Sequence, residues 1–412
     1  MPAIVEFPRV IADVLDRFAD LFPNQPQREH LAEYLTGLIV AQNKTVSGIN
    51  AEFVDTTDQS CLNRFVTAAR WDVDQLNARR LELLQEDATT RYSGRGVIAL
   101  DDVLIDHDGK LIEDVGWFWD HAEDRYKIAH DYLFANYVCE SGKHYPLEFR
   151  RFQKREQCQA TGAPFQDHGL LFRQLVDWVC DRNIPGDFTF DSYFSSAENL
   201  NHIHDHQTEQ GESRAYVGDL KTNRKLEVRG KSLRTDEFAA TIPREKRREL
   251  RRGDDRQWYF TTTVRLPQVK HPVRIVLIWK NRRDQQLAKA LITNRTRWEV
   301  KRILQTYRYR WTGTETFHRD GKQELGMGDC QLRSGQGQTR HMHLVMLAYS
   351  LLMRQLKQPS AKEWALVRLT TIGQACRAVA TETLRTTLAW ALEQVTANSR
   401  KPQHVLAQLR LT

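Results

Sequence analysis

Apolar residues recur at helical spacing through the first 90 or so positions, then change period. Leu31, Tyr34, Leu35, Leu38 and Ile39 share one helical face, and Asn43 or Thr45 is placed to cap a short helix over VSGINAEF. Leu62, Phe65, Val66, Trp71, Leu76, Leu81 and Leu84 continue the pattern. Short helices of this kind fit a helix-turn-helix-like DNA reader first and a plain bundle second. From Ser93–Gly96 onward unbroken short runs replace the helical period. Gly96–Leu100 reads as a buried strand delivering Asp101 and Asp102 at its end, and Val115–Trp119 and Ala129–Val138 as the next strands, joined by HAEDR. Phe165–Arg182 is an amphipathic helix. Phe188–Phe190 is a short strand ending at Asp191, and RAYVGDL from Arg214 is another. Together these predict a mixed α/β sheet.

Between residues 222 and 287 the chain turns basic and β-rich. KLEVRG, QWYFTTTVRL and VRIVLIWKN read as an inserted sheet, interrupted by REKRRELRR (Arg244–Arg252), which reads first as a solvated helical face and second as a set of phosphate contacts. Lys289–Thr293 returns to a strand. Trp298–Arg308 is helical, a further helix starts near Thr314, and His341–Leu356 and Trp364–Val395 are apolar-faced helices expected to pack over the core. Trp117, Trp119, Trp178 and Trp298 read as core residues rather than base-stacking groups. His341 and His343 read as flanking a packed helix rather than binding metal.

Composition narrows the classes. The chain carries 60 Lys+Arg and ten Trp at a net charge of +7, a balance compatible with nucleic acid. No apolar run approaches the roughly 18–20 residues of a membrane span, and acids near the start do not suit a secretion signal, so a cytoplasmic protein is expected. The six cysteines are scattered without CxxC or paired Cys/His spacing, so reduced thiols are expected and structural zinc is not.

The segment Tyr307–Arg333, YRYRWTGTETFHRDGKQELGMGDCQLR, concentrates the chemistry. With a helix from Thr314, Glu315, His318, Arg319 and Lys322 share one face. One carboxylate among basic and aromatic side chains suits a divalent cation held beside a phosphodiester. Asp101, Asp191 and Glu315 stand apart from the other acids because each ends an apolar strand or opens a basic helix. Phosphodiester chemistry by two metal ions needs such a set, with one aspartate bridging both ions. Successive strand residues face opposite ways, so one of Asp101 and Asp102 enters the site, with Asp101 preferred. Glu324 is the alternative to Glu315. Lys221 follows the RAYVGDL strand where a sheet end meets DNA or solvent.

The pieces IALDD, FTFDSYFSSAENL, RAYVGDLKTNRKL, KALITNRTRWEVKRIL and the Tyr307–Arg333 block resemble the DDE transposases of bacterial insertion sequences, in particular the group with a Tyr-Arg-Glu-Lys signature. The resemblance runs from about Phe22 to Leu352. It implies an RNase H-like core with a β-rich insertion between the second Asp and the Glu. It also implies that Asp101, Asp191 and Glu315 are the metal-binding and catalytic triad, and that Tyr307, Arg310 and Lys322 lie beside transposon-end DNA. Arg319, Lys221, Arg247 and Arg248 are the further candidate DNA contacts. The family leaves three residues between the signature Arg and Glu; Arg310 and Glu315 are separated by four, which a loop near Gly313 would absorb.

The expected organisation is therefore a helical DNA-end-binding domain over 1–92, a catalytic core over 93–221 and 288–356, a basic insertion over 222–287 and C-terminal helices over 357–412. The expected activity is cleavage of mobile-element ends and transfer of the 3′-hydroxyl to target DNA. Mg²⁺ is the expected ion with Mn²⁺ able to substitute, double-stranded DNA the partner, a homodimer the DNA-bound form, and the nucleoid the place of action. The rivals are a nuclease of RNase H-like fold that only hydrolyses and an inactive domesticated DNA-binding protein.

Overall fold

The computed structural model describes residues 3–121, 123–228, 230–252, 255–358, 368–397 and 400–411. They fall into two compact units. One comprises Met1–Arg91, Leu104–Asp131 and Phe317–Thr412; the other comprises Tyr92–Val103 and Tyr132–Thr316. The strands are β1 (Val97–Asp106), β2 (Gly116–Asp120), β3 (Arg125–Val138), β4 (His144–Phe152), β5 (Asp187–Phe190), β6 (Tyr216–Asp219), β7 (Lys225–Val228), β8 (Lys231–Arg234), β9 (Arg248–Arg252), β10 (Asp255–Val264), β11 (Val273–Trp279) and β12 (Lys289–Thr293).

The first unit is mainly helical. The predicted apolar stripes are buried: Leu31, Tyr34, Leu35, Leu38 and Ile39 on the helix Gln25–Val40, Leu62, Phe65 and Val66 on Gln59–Thr67, and Leu76, Leu81 and Leu84 on Val73–Glu86. Thr45 caps Val46–Asn50 by accepting from the Gly48 amide at 3.1 Å. These helices share their core with Gly335–Lys357 and Ile372–Thr396, so the unit draws on both ends of the chain. Polar ties lock the packing. His341 is buried between the Tyr34 hydroxyl and the Gly326 carbonyl, both 2.9 Å away, and fully buried Arg80 donates to Asn77 and Ser350. The expected helix Trp364–Val395 includes residues 364–367, which lie outside the described residues; the observed helix begins at Ile372. Trp117 and Trp119 correct the expectation of core packing. They lie on β2, an edge strand paired with β3, and are 54% and 39% exposed, with the Lys110 ammonium 6.0 Å from the Trp117 ring centroid and Tyr126 edge-on to Trp119 at 5.1 Å.

In the second unit the strand order is β3-β1-β5-β6-β12-β11-β10-β9, with β4 also on β3. β1, β5 and β6 are parallel neighbours, and from β6 onward every pairing is antiparallel. Three expectations change. The insertion adds β9–β11 to the same sheet through β12, leaving only β7–β8 as a sheet of its own. Arg248–Arg252 forms the edge strand β9 and not a helical face, its backbone pairing with β10 from Asp255 to Tyr259. Trp298–Arg308 and the Glu315 segment are one continuous helix, Val300–Glu324, so no loop at Gly313 absorbs the extra residue. Strand β4 and the helix Ala197–Asp205 went unread, the former because HYPLEFRRF alternates charge with apolar residues around a proline.

Packing explains the continuous helix. Val300 and Ile303 join Val217, Val276, Ile278 and Leu291 in one buried cluster, seating the helix on β6, β11 and β12. Further along, a Cβ at Gly313 would stand 3.0 Å from the Ala99 Cβ and 3.2 Å from Val138 Cγ1, so glycine lets the helix lie this close to β1 without its neighbours giving way. The helix His168–Asp181 covers β5 through Phe172, whose ring contacts Phe190 and Phe194.

Candidate active site

Strand register builds the centre. In the β1–β5 pair, Leu100 stands opposite Phe190, so the next residues are Asp101 and Asp191. In the β5–β6 pair, Phe190 stands opposite Gly218, so Asp191 is followed across by Asp219. Three acids from positions far apart in sequence thus come to the same ends of three adjacent parallel strands. β1 itself continues to Asp106, so the acids do not end it; what ends at Leu100 is its pairing with β5. Alternation puts the two neighbours on opposite faces, with Asp101 buried at 7% exposure and Asp102 exposed.

The helix Val300–Glu324 supplies the other wall. Arg310 ion-pairs with Asp101 Oδ2, and Thr314 Oγ1 lies 3.2 Å from the same oxygen and 2.9 Å from the Arg310 carbonyl. One turn earlier, the Tyr307 hydroxyl donates to Asp219 Oδ2 at 3.2 Å, and Lys289 Nζ lies 3.4 Å from that oxygen. Tyr307 and Arg310 therefore each hold a different strand-end acid. Asp191 caps the turn Ser192–Phe194, accepting from the Tyr193 amide at 2.9 Å, which fixes its rotamer at the sheet end.

Electrostatics sharpen the picture. Burial pushes the Asp101 carboxyl up to about 7; Arg310 opposes the shift, and the charges of Asp102, Asp191 and Glu315 add to it. Burial also raises Asp191, with Asp219 pushing the same way and Arg310 against. Burial is the larger cause at both acids, and the neighbouring carboxylates add to it against the pull of Arg310.

Glu315 is half-buried, one position beyond Thr314. At the family's spacing of three residues after Arg310 stands Thr314, and the unbroken helix carries Glu315 about 100° further round its axis. Its charge still acts on Asp101. The alternative, Glu324, belongs to the helical unit, where it faces Gly373 and lies 4.0 Å from Arg377.

The remaining candidates separate. Lys221 is exposed just past β6, its ammonium 5.8 Å from the ring centroid of Tyr193 in the Asp191 turn. Arg319 and Lys322 are exposed on the last turns of the helix, in the first unit, with Arg319 bound to Asp320 at 2.9 Å. Arg248 is exposed on β9. Arg247 is buried, donating to the carbonyls of Arg282 and Asp284 and stacking 4.0 Å from the Trp279 ring, so its guanidinium is engaged inside the fold. Sequence reading missed Asp219, Thr314 and Lys289. Asp219 had a signal, since RAYVGD ends in an acid as the Asp101 and Asp191 runs do.

Beside the acids lies a cavity of about 620 Å³ lined by Arg251, Lys280, Lys289, Lys301, Arg308 and Arg310, with Trp311 also in its wall and no acid among the described residues that line it. Register-aligned carboxylates, one buried and two half-buried, next to a basic cavity are the parts a metal-dependent nuclease needs.

Comparison with known families decides the lineage. A family model described as DDE superfamily endonuclease matches residues 17–205, and one described as transposase DDE domain matches residues 171–351. The chain belongs to the DDE transposases. It is a metal-dependent endonuclease and transposase acting on DNA, and its mixed sheet with helices at both chain ends is the RNase H-like core of that superfamily. No curated protein matches the chain. Among the described residues no helix is long and apolar enough to cross a membrane.

Proposed function

We propose that this DDE transposase cuts the ends of its own mobile element and joins the freed 3′-hydroxyl to target DNA. The reading rests above all on the register that aligns Asp101 with Asp191 beneath the helix bearing Glu315. The donor set fits divalent ions: it is all oxygen, suited to hard cations, and its acids are raised first by burial and second by one another's charge, the part that a divalent charge would relieve. Asp101, Asp191 and Glu315 would hold Mg²⁺, with Mn²⁺ able to substitute. When bound, two such ions supply activation of the attacking water or 3′-hydroxyl and stabilisation of the departing oxygen.

The protein's own residues have separate tasks. Arg310 and Thr314 orient Asp101 by gripping Oδ2 and leave Oδ1 to the site. The Tyr193 amide orients Asp191. Tyr307 and Lys289 hold Asp219, keeping a fourth negative charge partly neutralised at the edge of the centre. The basic cavity carries phosphates toward the acids. We assign recognition of element ends to residues 1–92, added backbone affinity to the 222–287 insertion, and the chain to the Tyr-Arg-Glu-Lys group of bacterial insertion sequences. Two ends must be cut in concert, so a homodimer is the DNA-bound form. The test is a product assay with an end-containing duplex, a target plasmid and Mg²⁺. Strand-joined product is expected; hydrolysis alone would reduce the protein to a nuclease.

A further inference from the structure

Away from the strand-end acids, the second unit contains a group of different chemistry. The helix Ala197–Asp205 and its C-terminal flank carry the sequence HIHDH, with His202 and His206 four residues apart. Residues at that spacing stand one above the other, and here both rings turn toward Asp177 on the helix His168–Asp181. His202 Nε2 and His206 Nε2 lie 2.6 and 2.7 Å from Asp177 Oδ1, and the two ring centroids are 5.1 Å apart. Among the described residues this is the one set of three or more His, Cys, Asp or Glu side chains whose ligand atoms all lie within 4.8 Å of one another.

We propose that Asp177, His202 and His206 form a binding site for a borderline transition-metal ion, Zn²⁺ above all, separate from the catalytic ions. Three observations carry this. Two imidazole nitrogens and one carboxylate oxygen are the donors that zinc and cobalt take and magnesium does not. The side chains of Asp177, His202 and His206 are 43%, 29% and 26% exposed, so the group opens to solvent and leaves positions for water. His206 is the C-cap of its helix, so the negative end of the helix dipole faces the group, as a cation requires. Its neighbours do not compete: His204 stacks on His271 3.7 Å away, and Asp205 is paired with Lys270 at 2.9 Å.

Loading requires each ring to carry its proton on Nδ1 and present the Nε2 lone pair. The two short contacts to Asp177 then open from 2.6–2.7 Å to the roughly 2.9–3.4 Å between ligands around zinc. This is a side-chain adjustment of well under 1 Å. The ion would clamp together the two helices that flank β5 and the Asp191 turn in sequence, His168–Asp181 before and Ala197–Asp205 after. Its role is therefore structural support of the strand that delivers Asp191.

The experiment uses the full chain with Asp101→Asn and Asp191→Asn, which empties the catalytic centre, titrated with Zn²⁺ by calorimetry and with Co²⁺ by visible absorption. One ion per chain is expected, with the absorption bands of imidazole-ligated cobalt and a rise in Tm on adding Zn²⁺. Adding His206→Asn, or separately His202→Asn, should weaken binding by about 100-fold or more, beyond what an outer-shell change costs. Absence of any bound Zn²⁺ or Co²⁺ in the Asp101→Asn, Asp191→Asn protein overturns the proposal. So does unchanged uptake when both histidines are replaced, since the three side chains would then be only a hydrogen-bonded tie. The cobalt spectrum needs no substitution in the cluster, so a poorly folding histidine variant leaves the question answerable. Strand joining does not enter the readout, and the two proposals fail separately.

Discussion

The strand-end acids and the Asp177–His202–His206 group are assembled by opposite rules. Sheet register brings Asp101 and Asp191 together although 90 residues separate them, and the helical period brings His202 and His206 together because only four do. In the first centre Asp101 is buried and Asp191, Asp219 and Glu315 are half-buried; it is all oxygen, its acids repel one another, and Arg310 holds it in check. The second is half open, mixed nitrogen and oxygen, and needs no counter-cation. A centre whose acids repel one another is costly unless a strong positive charge visits it, and on this contrast rest the two proposals, divalent ions and phosphates at the first site and a single softer ion at the second.

The sharpest way to break this contrast is to remove the charges that define the first centre. Asp101→Asn, Asp191→Asn and Glu315→Gln keep shape and abolish metal-holding charge. Each should reduce Mg²⁺-dependent cleavage of an end-containing duplex by more than the tenfold to hundredfold of an outer-shell change, while DNA binding persists. Glu324→Gln should cleave near the wild-type rate. Because Thr314 occupies the family's spacing from Arg310, Thr314→Val is the informative control. A loss as large as that of Glu315→Gln would mean that the helix register at the centre differs from the one described.

A smaller effect is expected at Asp219, which the register places beside Asp191 but which Tyr307 and Lys289 already hold. Asp219→Asn should reduce cleavage by about tenfold to a hundredfold, as the loss of an orienting neighbour does. No change in the rate would remove Asp219 from the centre.

The pH dependence follows from the raised carboxyl. Asp101 in the folded chain loses its proton near 7, above the ordinary carboxyl range, and must be ionised to hold an ion. Below about 7 each unit of pH should therefore weaken Mn²⁺ binding by about tenfold, one proton being released per ion bound. Above it the affinity should level off. Arg310→Ala removes the charge that holds this carboxyl down, so the break should move to higher pH. The same linkage makes the metal-free protein gain stability as pH falls through 7, since the folded state then takes up a proton that the unfolded chain binds only near 4. A calorimetric series across pH reads both.

How much of this was legible beforehand follows from which interactions are local. The helical stripes of the first 90 residues, the short strand ending at Asp191 and the β-rich stretch after residue 222 all declare themselves by period, and each lies close to its expected span. Asp101, Asp191 and Glu315 were legible as acids at the ends of apolar runs or on a basic helix. Their mutual register was not, since pairing between Leu100 and Phe190 is not written in either run alone. Nor could spacing show that the insertion's strands extend the central sheet, or that the helix runs unbroken through Gly313. Both depend on partners supplied by distant segments: β12 for the first, Ala99 and Val138 for the second. The Asp177 group escaped for the same reason, its third member being on another helix.

The smallest effects test the basic surface, where sequence reading could not tell one arginine from another. Arg251, Lys280 and Lys301 line the basic cavity, whereas Arg247 is buried among the carbonyls of Arg282 and Asp284. Neutralising any one of the first three should lower the log–log salt slope of DNA binding by about 0.9, which is about three- to fourfold in affinity between 50 and 200 mM salt. Arg251 should show the least of the three, because Glu249 already holds it at 2.9 Å. Arg247→Gln should leave the slope unchanged and instead lower stability by about 1 kcal/mol, the cost of leaving two part-buried carbonyls without their donor. Binding titrations across salt and a thermal melt on the same preparations separate the two outcomes. A reduced slope for Arg247→Gln with an unchanged Tm would mean that this guanidinium leaves its buried position to meet DNA.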